Sequence, residues 1–562
     1  MNERWLQTVT RIGAARCSFF WAKVPNGDQK RVRLQLLERG GALALLASLA
    51  LLHGRMLFHA GALWRDEINT LNVAGKATFH EFWSALEFDS YPALWPLLLR
   101  GWLSLGGGAD DFHLRLVGCA IGLCVVAALW WNSRLFSRGA SWPFVSWLLL
   151  GASPVLFKWG DSLRAYGFGT LLSLVALGMI WKLIEHPSRR TLALATLFAL
   201  LSVHALYYNS ILLLALCASG TAVGVRRRDW KIPARLLAVG LLCALSLMIY
   251  LPHIAGARDW GKLIQVPVSA PWLMQRLGVA LRASGGAMPA VWAGLWAGAL
   301  GGCALCWRSK AECDGDRALF LGGILCLVPL LFLSFLKVLS YPTTDWYYLS
   351  LMGFLAVGID AAWQVLVDDW PSAKMLRTGG CALVAAAMAL PAWRSAGQRR
   401  TTVDRAAAVL EDRASSDDLI VVTNWTVGIA FLRYFHGSTP WVTLPEIPDH
   451  TLHRYDLIAQ RMEEADPLDD VLQRSADILE AGHRVWILGE LPLQKEAPQP
   501  LPPAPRSPSG WQERAYTRRW QAQAAYFLRV HAAQIETVLP PLPMEQVDNY
   551  ENLPLSVASG WR

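Results

Sequence analysis

The run GALALLASLALLHGRMLF, Gly41 to Phe58, decides the fold. A continuous apolar stretch of this length crosses roughly 30 Å of hydrocarbon as a helix. Its apolar residues are unbroken rather than alternating, and lipid admits only helices or closed barrels, so the run predicts a membrane-spanning helix. Outward from it, similar runs recur near 114–135, 143–157, 165–184, 192–207 and 210–225, then near 236–251, 289–307, 318–336, 346–366 and 379–393. The chain is therefore expected to be a polytopic α-helical membrane protein of about eleven spans. Composition agrees: 54% of the 562 residues are hydrophobic, 17% are charged, and mean hydropathy is +0.30.

Basic residues set the expected orientation, because Lys- and Arg-rich short loops stay in the cytoplasm. The N-terminal segment 1–39 is basic, and so are Arg134, Lys182, Arg189, Arg190, the triplet Arg226-Arg227-Arg228, and Arg308 with Lys310. With an odd span count the amino end lies inside and the carboxyl end outside. The net charge of +9 follows from these inner loops beside anionic headgroups, and no nucleic-acid partner is needed. The first apolar run is expected to act as an uncleaved signal anchor.

Three segments are predicted: 1–39 cytoplasmic, 40–393 transmembrane, and an exported α/β domain over 394–562. Loops 59–113 and 254–288 face outward. The first is expected to hold short amphipathic helices over 79–88 and 93–105. The second interleaves Arg258, Asp259, Lys262, Arg276 and Arg282 with Trp260 and Trp272, which suits lipid phosphates. In the tail, strands are predicted over 418–423, 441–444 and 484–489. Helices are predicted over 427–435, 456–481 and 512–539. All ten cysteines precede Arg394, so disulfides do not hold the tail together. Cys303 and Cys306 form a lone CxxC in an apolar helix without ligand partners nearby.

Directly after the first span comes Trp64-Arg65-Asp66-Glu67, and Asp89 follows within Phe88-Asp89-Ser90-Tyr91-Pro92. Solvated loop acids are the plain reading of such a group. Carboxylates clustered at a membrane rim also mark reaction sites, because charge near hydrocarbon is costly. Lys158, Asp161, Arg164 and Tyr166 are placed on the same rim as a base, an acid partner and a phosphate clamp, with the cations Lys158 and Arg164 where the positive-inside tendency disfavours them. Arg164 is the first choice for a phosphate, since a guanidinium matches phosphate oxygens two at a time. His204 and Tyr207 offer hydrogen bonds and a ring face to a sugar or headgroup, and Tyr347 is expected to line the cavity from the far side. Interfacial aromatic anchoring explains the tyrosines and many of the 28 tryptophans equally well. A magnesium or manganese ion between Asp66 and Asp89 is left open. No P-loop, HExxH or GxSxG is present, which removes the nucleotide-driven and hydrolase readings.

These segments, in this order, resemble the C-type (GT-C fold) membrane glycosyltransferases, in the bacterial branch of protein O-mannosyltransferases and the lipid A aminoarabinose transferase. The residues that carry the resemblance are Trp64 to Glu67, Asp89 to Pro92 with PALWPLLLRGWLSL, His113 to Gly122, Asp161 to Tyr166, and His204 to Tyr207. It implies a hexosyl- or pentosyltransferase in a bacterial inner membrane. The donor would be a sugar on a polyprenyl phosphate and the acceptor a glycan, lipid or protein hydroxyl. It implies Asp66 as base, Glu67 and Asp89 as its assistants, and Arg164 and Tyr166 on the carrier phosphate. The chain departs from the family in having Ser90-Tyr91-Pro92 where His-Pro-Pro is frequent, and Trp346-Tyr347-Tyr348 in place of a late Arg-Tyr. A transporter or flippase of a lipid-linked glycan is the competing class, although no repeated halves are visible.

Overall fold

The computed structural model describes residues 26–137, 142–261, 264, 266–307, 312–367, 371–492, 496–504 and 513–562. Among these, nine helices are long and apolar enough to cross a bilayer, from Leu36–His59 through Asp111–Phe136 to Leu376–Ala396. The chain is thus a polytopic helical membrane protein carrying a small C-terminal sheet domain. Two expected spans fall outside the nine. The run 192–207 lies largely in a shorter helix, Arg189–Ala205. The run 143–157 is broken into helix Phe144–Ser146 and two π-helical turns, Trp147–Gly151 and Leu156–Gly160. Pro154 lacks the amide that would continue the helix between those turns. The interruption is tolerated because the segment is buried in protein rather than facing lipid.

Helix α1 (Asn26–His59) leads into a loop of three short helices, α2 (Arg65–Ala74), α3 (Phe79–Ala85) and α4 (Leu94–Ser104), before α5 (Asp111–Phe136) re-enters the bundle. The expected surface helices are there, but α2 is not merely superficial. It buries Ile68, Leu71 and Val73, and it presents its acidic first turn to the turn that precedes helix Ala165–Glu185.

Asp161 sits in that turn and points into the bundle, where its carboxylate meets His53 Nδ1 of α1 at 2.7 and 2.9 Å. Gly118 and Gly122 of α5 make this approach possible. A Cβ on Gly118 would collide with the Asp161 carbonyl, and one on Gly122 with its carboxylate. Gly122→Ala should therefore lower the melting temperature of the purified protein. The overpacking cost, about 1–3 kcal/mol, exceeds the helix-propensity gain of roughly 1 kcal/mol from alanine.

The C-terminal domain is a five-stranded sheet in the order β2-β1-β3-β5-β4. Strands β1 (Leu419–Val422), β2 (Trp441–Thr443) and β3 (Arg484–Leu488) are parallel and match the predicted positions. Two expected helices are corrected. The segment 456–481 is two helices, Tyr455–Glu463 and Asp469–Glu480, because Pro467 falls between them. The segment 512–539 is helix Glu513–His531 followed by β4 (Ala532–Leu539). The segment Ala532–Leu539 is a strand because β4 pairs antiparallel with β5 (Leu555–Trp561), a strand that the sequence reading did not anticipate. The pair of strands closes off residues 540–554, and this loop reaches the membrane-side site.

Candidate active site

The three loop acids have different surroundings. Glu67, three residues into the α2 cap, is fully buried. Its Oε2 accepts from the Trp64 amide at 3.2 Å and Arg115 at 3.3 Å, and its Oε1 accepts from the Leu163 amide at 3.1 Å. It ties α2 to α5 and to the 161–164 turn. The side chain of Asp89 is also without exposure. Its Oδ1 accepts from Arg164 and from the Ser90 amide, both at 2.9 Å, while its Oδ2 accepts from the Thr70 hydroxyl at 2.8 Å.

Asp66, in contrast, keeps 21% of its side chain exposed. Its Oδ1 lies 3.2 Å from His453 Nε2 and 3.7 Å from Arg65 Nε. Burial opposes its charge, yet the His453 contact and the guanidinium groups of Arg164 and Arg65 hold its carboxyl well below the usual carboxylate range. Among the three acids, Asp66 alone presents an ionised carboxylate to solvent.

Arg164 is nearly buried, and its two Nη groups are committed, while its Nε has no hydrogen-bond partner among the described residues. Nη1 reaches the Asp66 carbonyl at 3.0 Å, Thr70 and Asp89 at 2.9 Å, and Nη2 reaches Ser90 at 3.2 Å. The group lies 4.3 Å over the Tyr91 ring. Burial alone would discourage its charge, but Asp89, with Asp66 nearby, keeps it firmly charged. It is thus the strut that fixes α2 against the Asp89 loop.

Lys158 points toward the C-terminal domain. Its Nζ is 3.2 Å from Asp548 Oδ2, and Arg400 Nη1 is 3.1 Å from the same atom. Asp345 also acts on Lys158 and Arg276 acts on Asp345, so three cations face two carboxylates and leave a surplus of positive charge at this rim. Arg400 stacks 4.0 Å over Trp159, within an aromatic wall in which Trp346 approaches Trp159 at 4.3 Å and Tyr550 at 5.4 Å. Tyr166 joins this wall, 5.3 Å from Tyr91 and 6.0 Å from Tyr347.

The other predicted residues lie apart from this cluster. Asp161 is committed to His53 inside the bundle. His204 uses both ring nitrogens on Tyr250 and Ser246, at 3.1 and 3.0 Å, and Tyr207 packs edge-on against Tyr250. The side chain of Arg258 lies outside the described residues.

The sequence reading missed the contribution of the C-terminal domain. His453 meets Asp66, and its amide donates to Asn69 at 2.8 Å. Glu551 binds Arg65 at 3.0 Å, and burial raises its pKa above the ordinary value despite that arginine. Tyr434 donates to Asp111 and accepts from the Leu63 amide, both at 2.7 Å. The polar runs Asp449-His450-Thr451-Leu452-His453-Arg454 and Asp548-Asn549-Tyr550-Glu551 were the available signal.

A divalent ion between Asp66 and Asp89 does not fit this donor set. Asp89 is neutralised by Arg164 and both its oxygens are occupied, while Asp66 has cationic Arg65 beside it. No group of three His, Cys, Asp or Glu side chains among the described residues could hold a metal ion.

The fold and site define a polytopic membrane protein with a rim carboxylate completed by a soluble domain. No family model and no curated protein matches the sequence. Among solved structures, the chain is similar to ArnT from Cupriavidus metallidurans bound to undecaprenyl phosphate. The identity is 14% and the TM-score 0.47, over 80% of this chain and 93% of that one. It is also similar to the Archaeoglobus fulgidus oligosaccharyltransferase in complex with Zn and sulfate, at 11% identity and TM-score 0.47, over 79% of this chain and 67% of that one.

Proposed function

We propose that the protein is a membrane glycosyltransferase that moves a sugar from a polyprenyl-phosphate carrier to an acceptor hydroxyl, with inversion, on the periplasmic face of a bacterial inner membrane. In this reading the amino end is cytoplasmic and the C-terminal domain periplasmic. The observation that carries it is the solvent-reaching carboxylate of Asp66, fixed by His453 beside a rim of surplus positive charge. The acceptor oxygen bonds to the anomeric carbon as the bond from that carbon to the phosphate oxygen breaks. The electron pair leaves with polyprenyl phosphate, and the hydroxyl proton passes to Asp66. Lys158 and Arg400 meet the developing phosphate charge, and the Tyr166 and Tyr347 rings flank the route to it. Arg164 acts through Asp66 by holding its backbone. Glu67 and Asp89 hold the frame.

His453 is a positioning residue in this scheme. His453→Ala should lower kcat by about 10- to 100-fold with little change in KM, the worth of one hydrogen bond to a charged group. His453→Gln should recover part of the loss, because its amide can donate to the same oxygen. Steady-state kinetics on both variants would check this, and equal losses in the two would remove the hydrogen bond as the cause. Since the acids do not form a metal cage, transfer should also survive exhaustive chelation, as measured by product formation in EDTA-treated, repurified enzyme.

The direct test is mass spectrometry of lipids and surface glycans from matched cells that lack the protein, express it, or express Asp66→Asn. One polyprenyl-phosphate sugar should accumulate, and one glycan should lose a residue, in both defective strains. Movement of intact labelled lipid across sealed vesicles without sugar transfer would overturn the reading in favour of a flippase.

A further inference from the structure

The carboxyl ends of the first and last candidate spans, Leu36–His59 and Leu376–Ala396, meet beneath the C-terminal domain. Arg55 Nε donates to the Trp393 carbonyl at 3.2 Å, and its guanidinium lies 4.1 Å over the Trp393 ring. Between these helix ends and the segment 542–546 there is a cavity of about 630 Å³. Arg55, Arg394, Arg399 and Arg405 line it against a single lining acid, Glu545. Asp404 pairs with Arg399 at 2.6 Å, while Arg394 and Arg405 have no ion pair among the described residues. Even after both acids are counted, two of the four positive charges remain uncompensated.

Such a cluster repels itself unless an anion enters, and guanidinium groups match phosphate oxygens in pairs. Position narrows the source of the phosphate. Phe58 and Trp393 are exposed at the span ends, where aromatic side chains sit at headgroup level. Below them, Leu51, Leu383 and Leu390 are exposed on the same two helices and offer acyl chains an apolar track that leads into the cavity. Free phosphate would make no use of that track.

We propose that this cavity binds the anionic phosphate headgroup of a membrane lipid in the leaflet on the Asp66 side. It is separate from the reaction site but coupled to it by one residue step. Arg399 lines the cavity, whereas Arg400 holds Asp548. The two sides are joined by a short parallel bridge in which the Arg399 amide donates to Gln546 and the Asp548 amide donates to Arg399, both at 2.9 Å. The headgroup site stands on its own observations and holds whether or not the transferase reading does.

Native mass spectrometry of the full-length protein in mixed micelles tests it. The wild type should retain phosphatidylglycerol about tenfold better than phosphatidylcholine, and millimolar inorganic phosphate should not displace it. The Arg394→Glu/Arg405→Glu variant should lose that preference, while Arg189→Glu, at the far end of the bundle, should keep it. Equal retention of the two lipids by wild type overturns the proposal without recourse to any variant, and so does an unchanged preference in a well-folded double variant. Displacement by inorganic phosphate would identify a free-anion site and overturn the lipid assignment.

Discussion

Asp66→Asn should abolish most transfer while leaving the protein folded. A positioned general base contributes about 10²- to 10⁴-fold, and the loss should fall on kcat rather than on KM for the donor. The fold should tolerate the change because asparagine has the same shape, and the carboxylate is partly exposed, with His453 and Arg65 as its ion-pair neighbours and Arg164 farther off. Its two neighbours in the notional acidic group should behave differently. Glu67→Gln or Asp89→Asn weakens buried contacts that join separate segments, so folded yield should fall first. The low proton affinity of Asp66 is consistent with its role. A carboxylate that stays ionised is a weak base, which suits a proton transferred late, after the attacking oxygen has become acidic by bonding to carbon. Because its pKa is depressed, Asp66 loses its charge only below the ordinary carboxylate range. Turnover should therefore not fall between neutrality and about pH 5 on its account, and a pH–rate profile would check this. Near-normal kcat in well-folded Asp66→Asn would remove Asp66 from the mechanism.

The second large effect is expected on stability. Arg164→Met leaves the Asp89 carboxylate buried without a counter-charge and removes bonds to Thr70, Ser90 and the Asp66 carbonyl. Breaking a buried pair from one side costs about 3–5 kcal/mol, a large part of the roughly 5–15 kcal/mol that holds a typical domain together. The variant should give little monodisperse protein on fluorescence-detected size exclusion, with a clearly lower melting temperature. Adding Asp89→Asn should restore part of the loss, because the amide removes the unpaired charge and its oxygen still accepts from Thr70 or the Ser90 amide. If instead Arg164→Met melts like wild type and loses only donor affinity, the guanidinium serves the carrier phosphate rather than the frame.

The sequence reading went furthest where one short segment holds the whole signal. Apolar runs announce spans because every backbone polar group in lipid must be satisfied within its own helix, a local requirement. Nine of eleven expected spans meet that criterion among the described residues. The segment 143–157 did not, because Pro154 breaks a helix whose apolar composition still reads as continuous. The acidic turn Arg65-Asp66-Glu67 could be found for the same local reason, since charge beside a span is conspicuous. The β4–β5 pair was missed because pairing depends on a partner strand, which no window around 532–539 contains.

What the sequence determined by itself was the class of the molecule: a helical membrane protein with an acidic rim after its first span and an α/β tail. It named the three acids, and only the family resemblance singled out Asp66 as base, since residues 66, 67 and 89 are equally charged on paper. Tertiary structure gave the three acids different surroundings. It buried Glu67 against Arg115 and Asp89 against Arg164, and it left Asp66 in reach of solvent with His453 from 387 positions later in the chain beside it. The physical reason is that a carboxylate's role depends on which donors and how much water surround it, and here those donors come from segments that only folding brings together.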